Sequence, residues 1–147
     1  MIRFRLAERA DVPAVVSLLC DDVLGQTRES ADLSLYYAAF DAMQDEGGNQ
    51  LIVGVDDERV VATYQLTLIS GLSLSAARRA QIEAVRVDAS LRGQGAGAAL
   101  IADAEARARA HGASLMQLTT NSARKDAHRF YARMGYVDSH IGFKKQL

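Results

Sequence analysis

The stretch Leu91-Arg92-Gly93-Gln94-Gly95-Ala96-Gly97-Ala98-Ala99-Leu100 restricts the fold more than any other part of this chain. It joins a strand-like segment, Ile82 to Val87, to a long alanine-rich helical segment. Three glycines let the backbone take positive φ and turn N–H groups outward with no Cβ in the way. The helix that follows aims its first free amides and the positive end of its dipole at the same point. Strand, glycine turn and helix in that order make an anion-binding corner, and phosphate is the anion that suits it.

Spacing narrows the choice. A Walker loop needs Lys-Ser or Lys-Thr directly after its last glycine, whereas Ala98-Ala99 stand here, so the ligands for a magnesium nucleotide are missing. A dinucleotide fingerprint would place its third glycine at Ala98 or Leu100, and would open the domain instead of lying past its middle. What is left is Arg-x-x-Gly-x-Gly behind a strand. Downstream, Leu115 to Thr120 reads as a strand and Asn121 follows it; Asp126 to Tyr136 reads as a short helix that carries Phe130-Tyr131 and is closed by Gly135. Both motifs, in this order and spacing, resemble the acyl-CoA site of the GNAT family of N-acetyltransferases. The resemblance is close from Ile82 to Phe143 and holds by pattern elsewhere. Leu118 to Leu147 is similar to the branch of the family that contains aminoalkylphosphonate N-acetyltransferases.

Composition excludes several other classes. The chain has 147 residues, 49% of them hydrophobic, which is enough for one globular domain with a two-layer core. Its 17 Lys plus Arg are balanced by 18 Asp plus Glu, and no basic run exceeds two residues, so neither nucleic acid nor an anionic membrane is an expected partner. A single cysteine, Cys20, excludes a disulfide framework, and no Cys/His group has zinc spacing, so no metal is expected. Met1-Ile2-Arg3-Phe4-Arg5 alternates like a strand instead of resembling a signal peptide, and no apolar run nears the ~18 residues of a membrane span; a cytoplasmic protein is the expectation.

Along the chain, Ile2, Phe4 and Leu6 alternate with Arg3 and Arg5 as in a strand with one buried face. A helix follows, with Asp11 as N-cap, Pro13 in its first turn, an apolar stripe of Val12, Val15, Val16, Leu19 and Val23, and Gly25 at its end. A second helix over about Asp32 to Gln44 carries Leu33, Tyr36, Tyr37, Phe40 and Met43. Leu51 to Val55, a turn at Asp56 to Arg59, and Val60 to Ile69 read as a hairpin, and Ser70 to Arg79 as a small-residue connection. The order is β-α-α-β-β-β-α-β-α-β, an α/β domain with a mixed sheet. The family resemblance implies a largely antiparallel central sheet flanked by helices.

Strict alternation places Glu83, Val85 and Val87 on one strand face. A carboxylate on an otherwise apolar face needs a partner or a purpose, because burying it alone is costly. It reads either as a strand-end salt bridge or as a general base. The base would deprotonate an acceptor amine which, with a pKa of ~10, is almost entirely protonated at pH 7. Glu83 lies where relatives that acetylate amino sugars or arylalkylamines often carry their base, although Ala84 stands where those relatives often have a second polar residue. The resemblance gives Tyr131 the role of general acid to the departing CoA thiolate, while its i, i+3, i+4, i+7 neighbours also suit a core aromatic. It implies acetyl-CoA as co-substrate, held by Val85, Arg86 and Val87 through main-chain bonds, by Arg92, Gly93, Gln94, Gly95, Ala96, Gly97 and Ala98 at the pyrophosphate, and by Asn121 at the pantetheine arm. Asn121 also reads as an Asx turn.

His111 reads as a helix C-terminal partner and His128 as an exposed structural residue. His140 reads as shaping a bulge or the edge of a homodimer. Cys20 reads as a small core residue, which favours direct transfer over an acyl-cysteine. The acceptor would be a small-molecule amine, recognised near Asp21, Asp22, Arg28, Glu29, Arg78 and Arg79, charges of both signs that suit either a polyamine or a phosphonate. Protein or peptide acetylation and a non-catalytic acyl-CoA-binding regulator are the rival readings.

Overall fold

A computed structural model describes residues 1–21, 29 and 32–147 of the chain. Val23 and Gly25, expected to complete and end the first helix, lie outside the described residues, as do Asp22 and Arg28. Two compact units are present, Met1–Gln117 and Leu118–Leu147.

The first unit is a five-stranded sheet in the order β1-β2-β3-β4-β5. Its strands are β1 (Arg3–Leu6), β2 (Asn49–Asp56), β3 (Arg59–Ile69), β4 (Arg79–Val87) and β5 (Leu115–Gln117). The first three pairings are antiparallel, and β4 with β5 is parallel. This is the mixed α/β sheet read from the sequence, and it is largely antiparallel, as the family resemblance implied. The β2–β3 hairpin turns on Asp57 and Glu58, both at positive φ, a turn whose twist matches that of the strands it joins.

Helices cover both faces. Helix α1 (Val12–Cys20) and helix α2 (Leu33–Asp45) pack against one side, where Val12, Val16 and Phe40 form one buried cluster and Val15, Val53 and Val55 another. Cys20 packs half-buried against the first of these, as a core residue should. Helix α3 (Ala96–Ala110) covers the other side and buries Leu100, Ile101 and Ala104. Asp32 caps α2 by accepting the Ser34 amide at 3.0 Å.

Two local expectations need correction, and one connection has an unusual backbone. Asp11 does not cap α1 in the expected way: a short 3₁₀ turn, Arg9–Asp11, precedes the helix, and the Asp11 carboxylate reaches back to the Glu8 amide at 2.7 Å as half of a capping box. That carboxylate also takes two bonds from Arg5, 2.7 and 3.0 Å, which hold it below the usual carboxylate range. In the Ser70 to Arg79 connection, Ser73–Ala76 forms one helical turn in which Leu74, Ser75 and Ala76 are all left-handed, a costly conformation for residues with a Cβ. Finally, the expected last strand is not formed. Residues 137–147 carry no strand, and Val137, Ile141 and Phe143 are exposed; a strand forms only where a neighbour accepts its amides.

Beneath α3, Tyr64 is fully buried and donates to Asp103 Oδ2 at 2.5 Å; Arg107 Nε meets the same oxygen at 2.8 Å. Burial, then the Asp103 carboxylate, push the phenol well above its ordinary pKa, so it stays a donor at every physiological pH. Tyr64→Phe keeps the ring and removes one bond to a charged group, so urea denaturation should show a loss of about 2 kcal/mol. An unchanged midpoint would mean that Arg107 alone satisfies Asp103.

The second unit holds helix α4 (Lys125–Arg133). Gly135 at φ 91° lets the Tyr136 amide return to the Tyr131 carbonyl at 3.0 Å, the helix stop read from the sequence.

Candidate active site

Strand β4 does not alternate strictly. Thr63 stands opposite Arg86 and Gln65 opposite Glu83, so a single β3 residue, Tyr64, faces two of β4, Ala84 and Val85. This is a β-bulge, with Ala84 at φ 52°. The bulge overturns the face assignment made from alternation. Glu83 shares its face with Arg86, on the side of α1 and α2, instead of with Val87, which pairs with Ala62 on the opposite side. Nor is Glu83 buried in apolar surroundings; it is exposed, so no desolvation cost has to be met.

Its carboxylate ends a chain of side-chain bonds. Arg79 Nη1 donates to Gln117 Oε1 at 3.1 Å, Gln117 Nε2 to Gln81 Oε1 at 2.7 Å, and Gln81 Nε2 to Glu83 Oε1 at 2.5 Å. Gln81 was detectable in sequence as the residue two before Glu83 on the same face. The part played by Gln117 depends on the parallel register that sets it opposite Gln81.

Strand β5 pairs only with Arg79–Gln81. From Ile82 onward, β4 therefore has one strand neighbour among the described residues of its sheet, and the backbone groups of Val85 to Val87 that point away from β3 lie outside any ladder. Immediately after β4, Asp88 caps a 3₁₀ turn, Ala89–Leu91, through the Ser90 amide at 2.9 Å, and Ser90 holds its carboxyl below the usual range. The loop Arg92 to Gly95 follows. Gly93 and Gly95 have φ of 74° and 82°, and a Cβ at either would meet no atom within 4 Å. Gly95 is the N-cap of α3, so the amides of Ala96, Gly97 and Ala98 form a first turn without intrahelical acceptors. An unladdered strand edge leading to an open glycine turn and a helix N-terminus fits a long extended arm ending in a diphosphate.

An apolar cavity of about 150 Å³ lies on the same face as Glu83, walled by α1 and α2 and floored by Thr63, Gln65 and Ala84 of the bulge. Sequence patterning did not reveal it.

In the second unit, Asn121 does form the Asx turn, its Oδ1 accepting the Ala123 amide at 2.9 Å. His128 Nε2 lies 3.0 Å from the Asn121 carbonyl. Tyr131 is half-buried, with its ring edge-on to Phe130 and Tyr136 at 5.1 and 5.9 Å. His111 Nδ1 lies 2.8 Å from the Arg107 carbonyl at the end of α3, and His140 Nδ1 2.7 Å from Ser139 Oγ. Among the described residues no helix is long and apolar enough to cross a membrane, and no three His, Cys, Asp or Glu side chains gather as a metal site would need.

Comparison with known proteins bears on the fold and the family. An aminoalkylphosphonate N-acetyltransferase of Salmonella typhimurium is 49% identical over 67 residues, 46% of this chain and 44% of that protein, so the match spans less than half of either. The crystal structure of a protein named as a transcriptional regulator from Bacillus halodurans is 37% identical, with each chain fully covered and a TM-score of 0.95. A predicted acetyltransferase of Clostridium acetobutylicum, solved with acetyl-CoA, shares the fold at 14% identity and a TM-score of 0.72, with 98% of this chain and 96% of that one covered. The model of the acetyltransferase (GNAT) family matches residues 16–136, and the chain belongs to that family of N-acetyltransferases.

Proposed function

We propose that this protein is an acetyl-CoA-dependent enzyme that acetylates the primary amine of a small molecule directly, with residues 1–147 acting as one catalytic domain. The observation that carries the reading is the open edge of β4, which has Glu83 at one end and the glycine turn of α3 at the other. Acetyl-CoA would supply the acetyl thioester. Main-chain groups of Val85, Arg86 and Val87 would hold its arm, Arg92 to Ala98 its pyrophosphate, and the amide of Asn121 the pantetheine. Glu83, exposed and steadied by Gln81, takes the proton that the acceptor ammonium must lose before its nitrogen can attack. Tyr131 gives a proton to the leaving sulfur, a matched transfer because phenol and thiol pKa values differ by only ~1.5 units. Alignment of the two reactants does the rest.

The name of the Bacillus halodurans relative supports a second reading, an acyl-CoA-binding regulator. Release of thiol from acetyl-CoA with a panel of small amines separates the two. Glu83→Gln then tests the base. Turnover should fall on the order of 10²-fold near pH 7, and the gap should narrow as pH approaches the amine's own pKa of ~10, while acetyl-CoA affinity by calorimetry is unchanged. Superimposable pH–rate profiles would make Glu83 a structural residue.

A further inference from the structure

We infer that the acceptor amine carries a compact apolar group, of the size of a phenyl ring or a branched chain of four to six carbons, seated in the cavity between α1, α2 and the bulge. The inference rests on the reading of Glu83 as the base and names the class of substrate that base would serve. Four observations support it. The cavity's floor includes Gln65 and Ala84, the residues opposite and next to Glu83, so a group placed there holds its amine beside the carboxylate. Its walls are apolar, with Val15, Val16, Leu19 and Phe40 among them, and no charged side chain lines it among the described residues.

Each polar side chain that lines the cavity already makes a bond within the protein. Thr63 Oγ1 donates to the Ile52 carbonyl at 3.0 Å, Gln65 Nε2 to Asn49 at 2.8 Å, and the Tyr36 hydroxyl to Glu29 at 2.7 Å. A phosphonate, carboxylate or second ammonium placed there would leave water for a wall that is mostly apolar and holds no opposite charge among the described residues. Size is the fourth observation. An enclosed apolar cavity of about 150 Å³ takes up benzene, so this half-open one of similar volume has room for a single ring or a short branched chain.

The experiment is a comparison of kcat/KM, by thiol release, for ethylamine, 3-methylbutylamine, 2-phenylethylamine, putrescine and 2-aminoethylphosphonate. Each buried methylene is worth roughly fourfold, so 3-methylbutylamine should exceed ethylamine by roughly tenfold to a hundredfold. Putrescine and 2-aminoethylphosphonate should do no better than ethylamine. Ala39→Phe, which adds a ring to the α2 wall, should cut the 3-methylbutylamine to ethylamine ratio below about threefold. A flat ratio in the wild-type enzyme, or a lead for putrescine or the phosphonate, overturns the apolar class while leaving the acetyltransferase reading intact. Acetyl-CoA binding with no thiol release for any amine overturns both. The wild-type ratio decides the matter even if Ala39→Phe does not fold.

Discussion

Gly95→Glu should abolish acetyl-CoA binding. At φ 82° and ψ 0° the N-cap of α3 is left-handed, a conformation glycine adopts freely and other residues at a cost. The space beyond Gly95 is open on the protein side, so a side chain there projects toward whatever approaches the first turn. A glutamate would place its negative charge at a helix end whose free amides and dipole suit a diphosphate. Gly95→Ala provides the control, because it introduces the backbone strain without the charge and should weaken binding by roughly tenfold or less. Titration calorimetry on variants that melt cooperatively decides the matter. Wild-type affinity in a folded Gly95→Glu protein would place the pyrophosphate elsewhere.

Tyr131→Phe carries the second large effect. The phenylalanine ring keeps the edge-on contacts with Phe130 and Tyr136, so packing in α4 is preserved. A Tyr131 that served only that packing would lose little rate. If it donates a proton to the leaving sulfur, kcat should fall roughly 10²–10⁴-fold with acetyl-CoA affinity and thermal stability near wild type. A kcat within about threefold of wild type, measured where chemistry limits turnover, would return Tyr131 to a packing role.

Features set by a few neighbouring residues were legible in the sequence. The glycine turn before α3, the helix stop at Gly135 and the Asx turn at Asn121 are all built by contacts within one turn of chain. The bulge was not legible, because no glycine marks it. Ala84 takes positive φ to reconcile two stretches of the β3–β4 ladder that are out of step by one residue, and that mismatch depends on residues twenty positions away. Alternation also grouped Glu83 with Val85 and Val87, whereas it is exposed beside Gln81. The cavity is likewise a property of three elements brought together. The closing strand was expected only as the last member of the element order, which does not say whether a neighbour exists to pair with it.

The bonds from Arg79 through Gln117 and Gln81 to Glu83 have a polarity of their own. A guanidinium can only donate and an ionised carboxylate can only accept, so both amides between them are fixed in a single orientation, each oxygen turned toward Arg79 and each nitrogen toward Glu83. Strand β5 contributes three residues to a parallel ladder, a short and weak pairing. Were it to slip by one residue, Gln117 would turn to the far face of the sheet and the relay would lose its middle link. The alignment of the sheet's last strand and the aim of the Glu83 carboxylate are therefore one setting, held by the same side chains.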